Sequence, residues 1–294
     1  MCINNFHVLG DFSIDTLWQI LQAILFGIVE GISEWLPISS TGHMILLEKF
    51  LNVQKTFGEE FWDLFLVVIQ LGAIIAVIIY FFDKLWPFSK KKTIEERKDT
   101  WHTWGKTLIA CLPAAIIGIL FDDILDQYLY NEITVSITLI VYGILFILLE
   151  MFNKKREFTT HSVKQMTYKT ALIIGAIQLL ALIPGTSRSG VTILGAMLIG
   201  CSRSTSAEFS FFLSIPVMAG ASLLKAVKYF VVDNQSISLD QGIFLAVGCL
   251  VAFGVSLLVV KWLMNFVKKH DFKPFGIYRI ILGIILIIYF VATL

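Results

Sequence analysis

Two short polar segments interrupt otherwise apolar stretches of this chain, EGISEWLPISSTGHM from Glu30 to Met44 and PGTSRSGVT from Pro184 to Thr192, and they read as one element repeated. Aligning Gly27 with Gly175 sets Glu30 against Gln178 and places Pro37 one position off Pro184. The same alignment matches Ser39-Ser40-Thr41-Gly42 to Ser187-Arg188-Ser189-Gly190. Farther on, Phe65-Leu66-Val67-Val68-Ile69-Gln70 meets Phe211-Phe212-Leu213-Ser214-Ile215-Pro216. Two copies of a broken apolar segment, each with polar residues at the break, are how membrane proteins build a site near the bilayer midplane.

Composition sets the same class. The chain is 57% hydrophobic and 15% charged with a mean hydropathy of +0.80, whereas soluble domains carry about 25% charged residues. Runs of about 20 apolar residues span a bilayer, and six are read here: 62–82, 104–121, 133–152, 209–229, 241–263 and 274–294. The segments 16–36 and 168–183 are shorter or carry charge, and each ends at a proline-containing break followed by a further apolar stretch. They read as re-entrant helix-loop-helix hairpins, because non-helical backbone at membrane depth needs protein or a polar cavity to satisfy it. The expected fold is an all-α integral membrane protein of six transmembrane helices plus two re-entrant hairpins. It is one polytopic domain, with inverted repeat halves at about 16–152 and 166–294.

Charge placement supplies the inversion. Loop 83–106 holds seven Lys or Arg, 153–169 five and 264–273 three, whereas 122–132 and 230–240 hold none and 53–61 only Lys55. By the positive-inside rule the first three are cytoplasmic and the others external. The first span then runs inward and its repeat mate, 209–229, outward. Both termini are expected outside the cytoplasm, with no removable signal peptide. Cys2, Cys111, Cys201 and Cys249 are scattered without metal-ligand spacing. The net charge of +1 says nothing about partners, but no Gly-rich nucleotide loop, zinc motif or low-complexity tract is present, and no nucleic-acid partner is expected.

Glu30 and Glu34 lie four apart in a helical segment, which sets their Cβ atoms about 5–6 Å apart on one face. Each carboxylate in an apolar segment costs about 2.5–3.5 kcal/mol. A shared divalent cation, a nearby arginine or one shared proton would compensate. Pro37 ends the helix, and Ser39, Ser40 and Thr41 supply cap chemistry for the next. Three hydroxyls with Gly42 and His43 exceed what a cap needs, and a helix N-terminus attracts phosphate. His43 is a candidate nucleophile or general base. In the second hairpin Ser187, Arg188, Ser189 and Thr192 follow the Pro184-Gly185 break, and the planar fork of Arg188 suits phosphate. Inverted hairpins enter from opposite faces, so their tips are expected to meet. Arg279 is expected to snorkel at the cytoplasmic end of the last span, and Asp63 and Glu208 to sit at interfaces.

On these residues the chain resembles the undecaprenyl-diphosphate phosphatases associated with bacitracin resistance. That family's first signature is met by Glu30, Glu34 and Ser39 to His43; its second, Pro-Gly-x-Ser-Arg-Ser-x-x-Thr, by Pro184, Gly185, Ser187, Arg188, Ser189 and Thr192. The match runs from about Leu17 to Phe290, leaving an N-terminal extension of about a dozen residues. The resemblance implies hydrolysis of undecaprenyl diphosphate to undecaprenyl phosphate and inorganic phosphate, which recycles the carrier lipid of peptidoglycan synthesis. It also implies a homodimer in the bacterial plasma membrane.

In the expected mechanism Glu30 and Glu34 hold Mg²⁺ or Ca²⁺ on the diphosphate. Ser187, Arg188, Ser189 and Thr192 clamp oxygens, with Ser39 and Thr41 also binding, and Ser40 or His43 attacks. If Ser40 attacks, His43 is its base. The site is expected to open to the extracytoplasmic face. The alternative reading is a transporter or flippase of the carrier lipid, which would also use broken helices in inverted repeats but needs no nucleophile. A second rival, the membrane phosphatases with Lys-x6-Arg-Pro and later Arg-to-His-to-Asp signatures, lacks those signatures here.

Overall fold

The computed structural model describes residues 14–129, 131–154 and 156–293. The N-terminal extension therefore falls outside the described residues. Among the described residues twelve α-helices follow one another: α1 (Ile14–Ser33), α2 (Ser40–Leu51), α3 (Val53–Phe57), α4 (Glu59–Tyr80), α5 (Phe82–Leu85), α6 (Ile94–Leu129), α7 (Glu132–Asn153), α8 (Tyr168–Gln178), α9 (Arg188–Leu198), α10 (Arg203–Val227), α11 (Leu239–Phe266) and α12 (Lys273–Thr293). No strand forms among the described residues beyond one isolated bridge between Thr160 and Cys201.

Among the described residues six helical stretches are long and apolar enough to cross a membrane, and five coincide with expected spans, in α4, α7, α10, α11 and α12. The sixth is Asp15–Ser33, the first arm of the first hairpin. The expected span 104–121 lies inside the 36-residue α6, which continues back through a charged stretch to Ile94. The protein is a multi-pass membrane protein.

Helix pairing is reciprocal between the two halves. The hairpin arm α1 packs on α11, and the matching arm α8 packs on α6; α7 packs on α12. Close approach is needed in both hairpin contacts. A Cβ on Gly27 would lie 2.8 Å from the Gly248 carbonyl, and one on the aligned Gly175 would lie 2.2 Å from that of Ala110.

Helices α4 and α10 pack together in opposite directions, as their end charges record. Asp63 near the start of α4 pairs at 3.0 Å with Lys225 at the end of α10, and Glu208 near the start of α10 pairs at 2.7 Å with Lys84 beyond the end of α4. Ser222 also donates to the Val67 carbonyl between the same helices. Asp63 and Glu208 thus each tie the start of one helix to the end of the other. Beneath the breaks, Trp35 is fully buried and meets Phe211 edge-on at 5.2 Å, joining the first break to α10.

Candidate functional site

The first break keeps its carboxylates on one face. The Glu34 amide donates to the Glu30 carbonyl at 3.0 Å, so helical hydrogen bonding continues one residue past α1 before the turn through Pro37. Ser39 then caps α2 with φ 73°, its hydroxyl accepting from the Gly42 amide at 3.4 Å. The second break repeats this: Ser187 caps α9 with φ 72° and accepts from the Gly190 amide at 3.1 Å. Both serines lie in the left-handed region that disfavours a Cβ. The two match in the sequence alignment and in backbone.

The hairpin tips meet. Arg188 donates through Nη2 to Glu34 Oε1 at 2.8 Å and through Nη1 to the Ser210 carbonyl at 2.8 Å. The other carboxylate oxygen, Glu34 Oε2, accepts from the Ser40 hydroxyl at 2.6 Å. Ser189 donates across the junction to the carbonyls of Glu34 at 3.0 Å and Leu36 at 3.3 Å. One carboxylate from the first hairpin is therefore held by an arginine of the second and itself holds a serine hydroxyl.

Burial sorts the expected site residues. Glu30, Glu34, Ser39, Ser189 and Thr192 are buried, whereas Ser40, Thr41, His43, Ser187 and Arg188 are half-buried. Thr192 lies beneath the arginine, its hydroxyl donating to the Arg188 carbonyl at 2.8 Å and meeting Ser210 Oγ at 2.7 Å. That placement makes it a support for the start of α9. Ser187 Oγ lies 3.2 Å from Ser189 Oγ.

Both ring nitrogens of His43 bond groups other than Ser40. Its Nδ1 lies 2.7 Å from the Ser39 carbonyl, which only accepts, so Nδ1 carries the proton. In the neutral ring Nε2 then accepts from the Tyr278 hydroxyl at 2.7 Å, and the two rings lie within 1° of parallel. Tyr278 was not visible as a site residue in the sequence.

Arg279 corrects an expectation. It does not snorkel; it is fully buried. Its Nη1 donates to the Pro37 carbonyl at 3.2 Å, and its Nη2 to the carbonyls of Gly185 at 2.9 Å and Thr186 at 3.0 Å. Backbone carbonyls at the breaks, left over where helical bonding stops, solvate the guanidinium more cheaply than extension to the interface. An arginine within an apolar helix was the available signal; its partners were not.

Among the described residues no group of three or more His, Cys, Asp or Glu could hold a metal ion. The carboxylate pair offers less than a full protein cage, yet Glu30 Oε1 is buried with no hydrogen-bond partner, and so is Arg188 Nε. Buried polar atoms of this kind call for a ligand or water. A cation that keeps waters and takes the rest of its ligands from phosphate oxygens fits two carboxylates.

The family model described as Bacitracin resistance protein BacA matches residues 23–285. A protein named Undecaprenyl-diphosphatase from Acetivibrio thermocellus is 56% identical over 275 residues, covering 94% of this chain and 99% of its own length. One of the same name from Enterococcus faecalis is 57% identical over 277 residues, with coverage of 94% and 98%. Undecaprenyl-diphosphatase 1 of Clostridioides difficile is 51% identical over 275 residues, with coverage of 94% and 97%. With the two signatures folded onto one junction and the match running through most of both lengths, this chain belongs to the BacA family of bacitracin resistance proteins.

Proposed function

We infer that this protein is an undecaprenyl-diphosphate phosphatase that returns undecaprenyl phosphate to use as the carrier lipid of peptidoglycan synthesis. The observation that carries the chemistry is the Ser40 hydroxyl donating at 2.6 Å to Glu34, which Arg188 holds at 2.8 Å from the opposite hairpin. Ser40 is the nucleophile, and Glu34, not His43, receives its proton. Ser40 Oγ forms a bond to the distal phosphorus as the bond from that phosphorus to the bridging oxygen breaks. The electron pair leaves with undecaprenyl phosphate. Water then attacks the phosphoserine, the P–Oγ bond breaks, a proton returns to Ser40, and inorganic phosphate departs.

Phosphoryl transfer demands positioning and charge neutralisation more than covalent help. Arg188 and the N-termini of α2 and α9 supply positive potential, and the half-buried Thr41 and Ser187 bind phosphate oxygens. Ser39, Ser189 and Thr192 hold the breaks in shape. Glu30 and Glu34 would hold a divalent cation, Mg²⁺ or Ca²⁺, which when bound neutralises charge on the diphosphate oxygens. His43 is held as its Nδ1–H tautomer between the Ser39 carbonyl and the Tyr278 hydroxyl.

A serine bonded to an ion-paired carboxylate is more than carriage of the lipid requires, so the transporter reading is not favoured. The decisive experiment is phosphate release from undecaprenyl diphosphate, with and without chelator, combined with trapping of the phospho-enzyme. A phosphoserine survives acid and is lost in base; a phosphohistidine, lost in acid, would transfer the nucleophile role to His43.

The extracytoplasmic opening and the homodimer belong to the same proposal. The low positive charge of 53–61 after the first hairpin supports the opening. A membrane-impermeant thiol reagent should label Ser40→Cys on intact cells in a cysteine-free background, and light scattering in detergent checks the dimer. Labelling only after the cytoplasm is opened would reverse the side.

A further inference from the structure

We propose that Arg279 is a positioning residue for the phosphatase reaction, a single buried guanidinium that locks the two hairpin breaks to each other and so sets Ser40 and Arg188 at working distance. The inference rests on the phosphatase reading for its kinetic consequence but not for its structural one.

Its five hydrogen bonds reach three elements. Nη1 takes Pro37 of the first break, and Nη2 takes Gly185 and Thr186 of the second. Nε and Nη2 also reach the carbonyls of Leu139 and Thr138 in α7, at 3.4 and 3.5 Å. Among the described residues it forms no ion pair; Tyr142 lies under it, with the ring centroid 5.7 Å away. Thr138 completes the clamp by donating to the Pro184 carbonyl at 2.8 Å. The carbonyls of Pro184, Gly185 and Thr186, which lead into Ser187, are therefore all held.

Position matters because both caps are serines at positive φ, a conformation that persists only when its surroundings over-determine it. Arg279 bonds beside both caps at once. A buried cation satisfied by carbonyls alone also leaves its charge uncompensated, adding positive potential behind two helix N-termini that serve an anionic substrate. Lysine would keep the charge but has no planar fork with which to span two breaks.

The test uses the full-length protein in detergent and two readouts, steady-state kinetics on undecaprenyl diphosphate and amide hydrogen exchange at Gly42 and Gly190, whose amides bond the cap serines. Arg279→Lys and Arg279→Gln are expected to lose kcat on the order of 10²-fold, as a displacement of about 1 Å would cause. KM should stay within about threefold, and exchange at both glycines should accelerate. Unchanged kcat and unchanged exchange would overturn the proposal, as would a rise in KM alone, which would mean direct substrate contact. If neither variant folds, Thr138→Val releases only the second break. Faster exchange at Gly190 but not Gly42, with lowered kcat, supports the clamp, and unchanged exchange refutes it. Wild-type protein that releases no phosphate while exchange still depends on Arg279 would defeat the phosphatase reading and leave the clamp standing.

Discussion

Ser39 and Ser187 share a backbone conformation, φ 73° and 72°, and each accepts from a glycine amide three residues on, yet the residues beside them divide the chemistry. The first break carries Glu30, Glu34 and Ser40. At the aligned positions the second carries Gln178, Leu182 and Arg188. Repetition supplies two half-helix N-termini at one junction; divergence makes one tip anionic, with a serine hydroxyl on its carboxylate, and the other cationic. Neither hairpin alone satisfies its own buried groups, because Glu34 and Leu36 need Ser189 and Arg188 needs Glu34. The backbone is symmetric and the reaction is not.

If the first tip owns the bond-making step, the largest losses should come from it. Ser40→Ala should abolish the trapped phospho-enzyme and lower phosphate release by about 10³-fold or more, with Glu34→Gln close behind because the hydroxyl loses its proton acceptor. A Ser40→Ala enzyme within about tenfold of wild type would sink the assignment of Ser40. The second tip should show its role through geometry. Arg188→Lys is expected to fall on the order of 10²-fold, nearly as far as Arg188→Ala, since the forked contact to Glu34 and Ser210 is lost while the charge stays. Near wild-type turnover in the lysine variant would reduce Arg188 to a counter-ion.

Much of this division was legible in the sequence, and the reason is the solvent. Polar residues inside apolar runs are expensive, so Glu30, Glu34, Arg188 and the two serine clusters stood out, and inverted hairpins implied that their tips meet. What was not legible depends on which distant helix packs on which. Tyr278 meets His43 across 235 positions of sequence, and nothing in the periodicity of α12 names that partner. Arg279 was visible as a charge, but the proximity of a cytoplasmic end favoured snorkelling, because the free carbonyls of the breaks appear only once α7 and α12 are packed. For Ser40 the spacing named His43 as the base, and only the turn through Pro37 folds Glu34 back onto the hydroxyl. The span at 104–121 was legible, but not that its helix extends unbroken to Ile94.

A smaller effect separates Glu30 from its repeat mate. Both side chains are buried, and both leave polar atoms without partners among the described residues, Oε1 of Glu30 and the whole amide of Gln178. If Glu30 is a cation ligand, Glu30→Gln should raise the divalent-metal concentration for half-maximal activity by about tenfold or more while the protein stays folded, since removing one of two adjacent carboxylates relieves repulsion. Gln178→Glu should not restore activity to that variant, because Leu182 stands in the second break at the position aligned with Glu34, so no second carboxylate completes the pair there. Full activity of a Glu30→Gln, Glu34→Gln protein in chelator would remove the metal from the account.

The mildest changes address the backbone the two breaks share. At a positive φ, glycine removes the steric penalty that serine suffers, and replacing a cap serine by glycine costs only a few tenths of a kcal/mol. Ser39→Gly and Ser187→Gly should therefore each leave turnover within about fivefold and thermal stability nearly unchanged. The alanine variants keep the strained φ and lose the cap, which should cost about 1 kcal/mol in stability. Matched behaviour at the two positions, measured by thermal unfolding and by kcat, is what a common scaffold requires. The sharper outcome would be a split. Ser187 is half-buried whereas Ser39 is buried, so a loss in KM for Ser187→Gly that Ser39→Gly does not share would mean that the exposed cap hydroxyl also touches phosphate, and the symmetry would end one residue earlier than the backbone suggests.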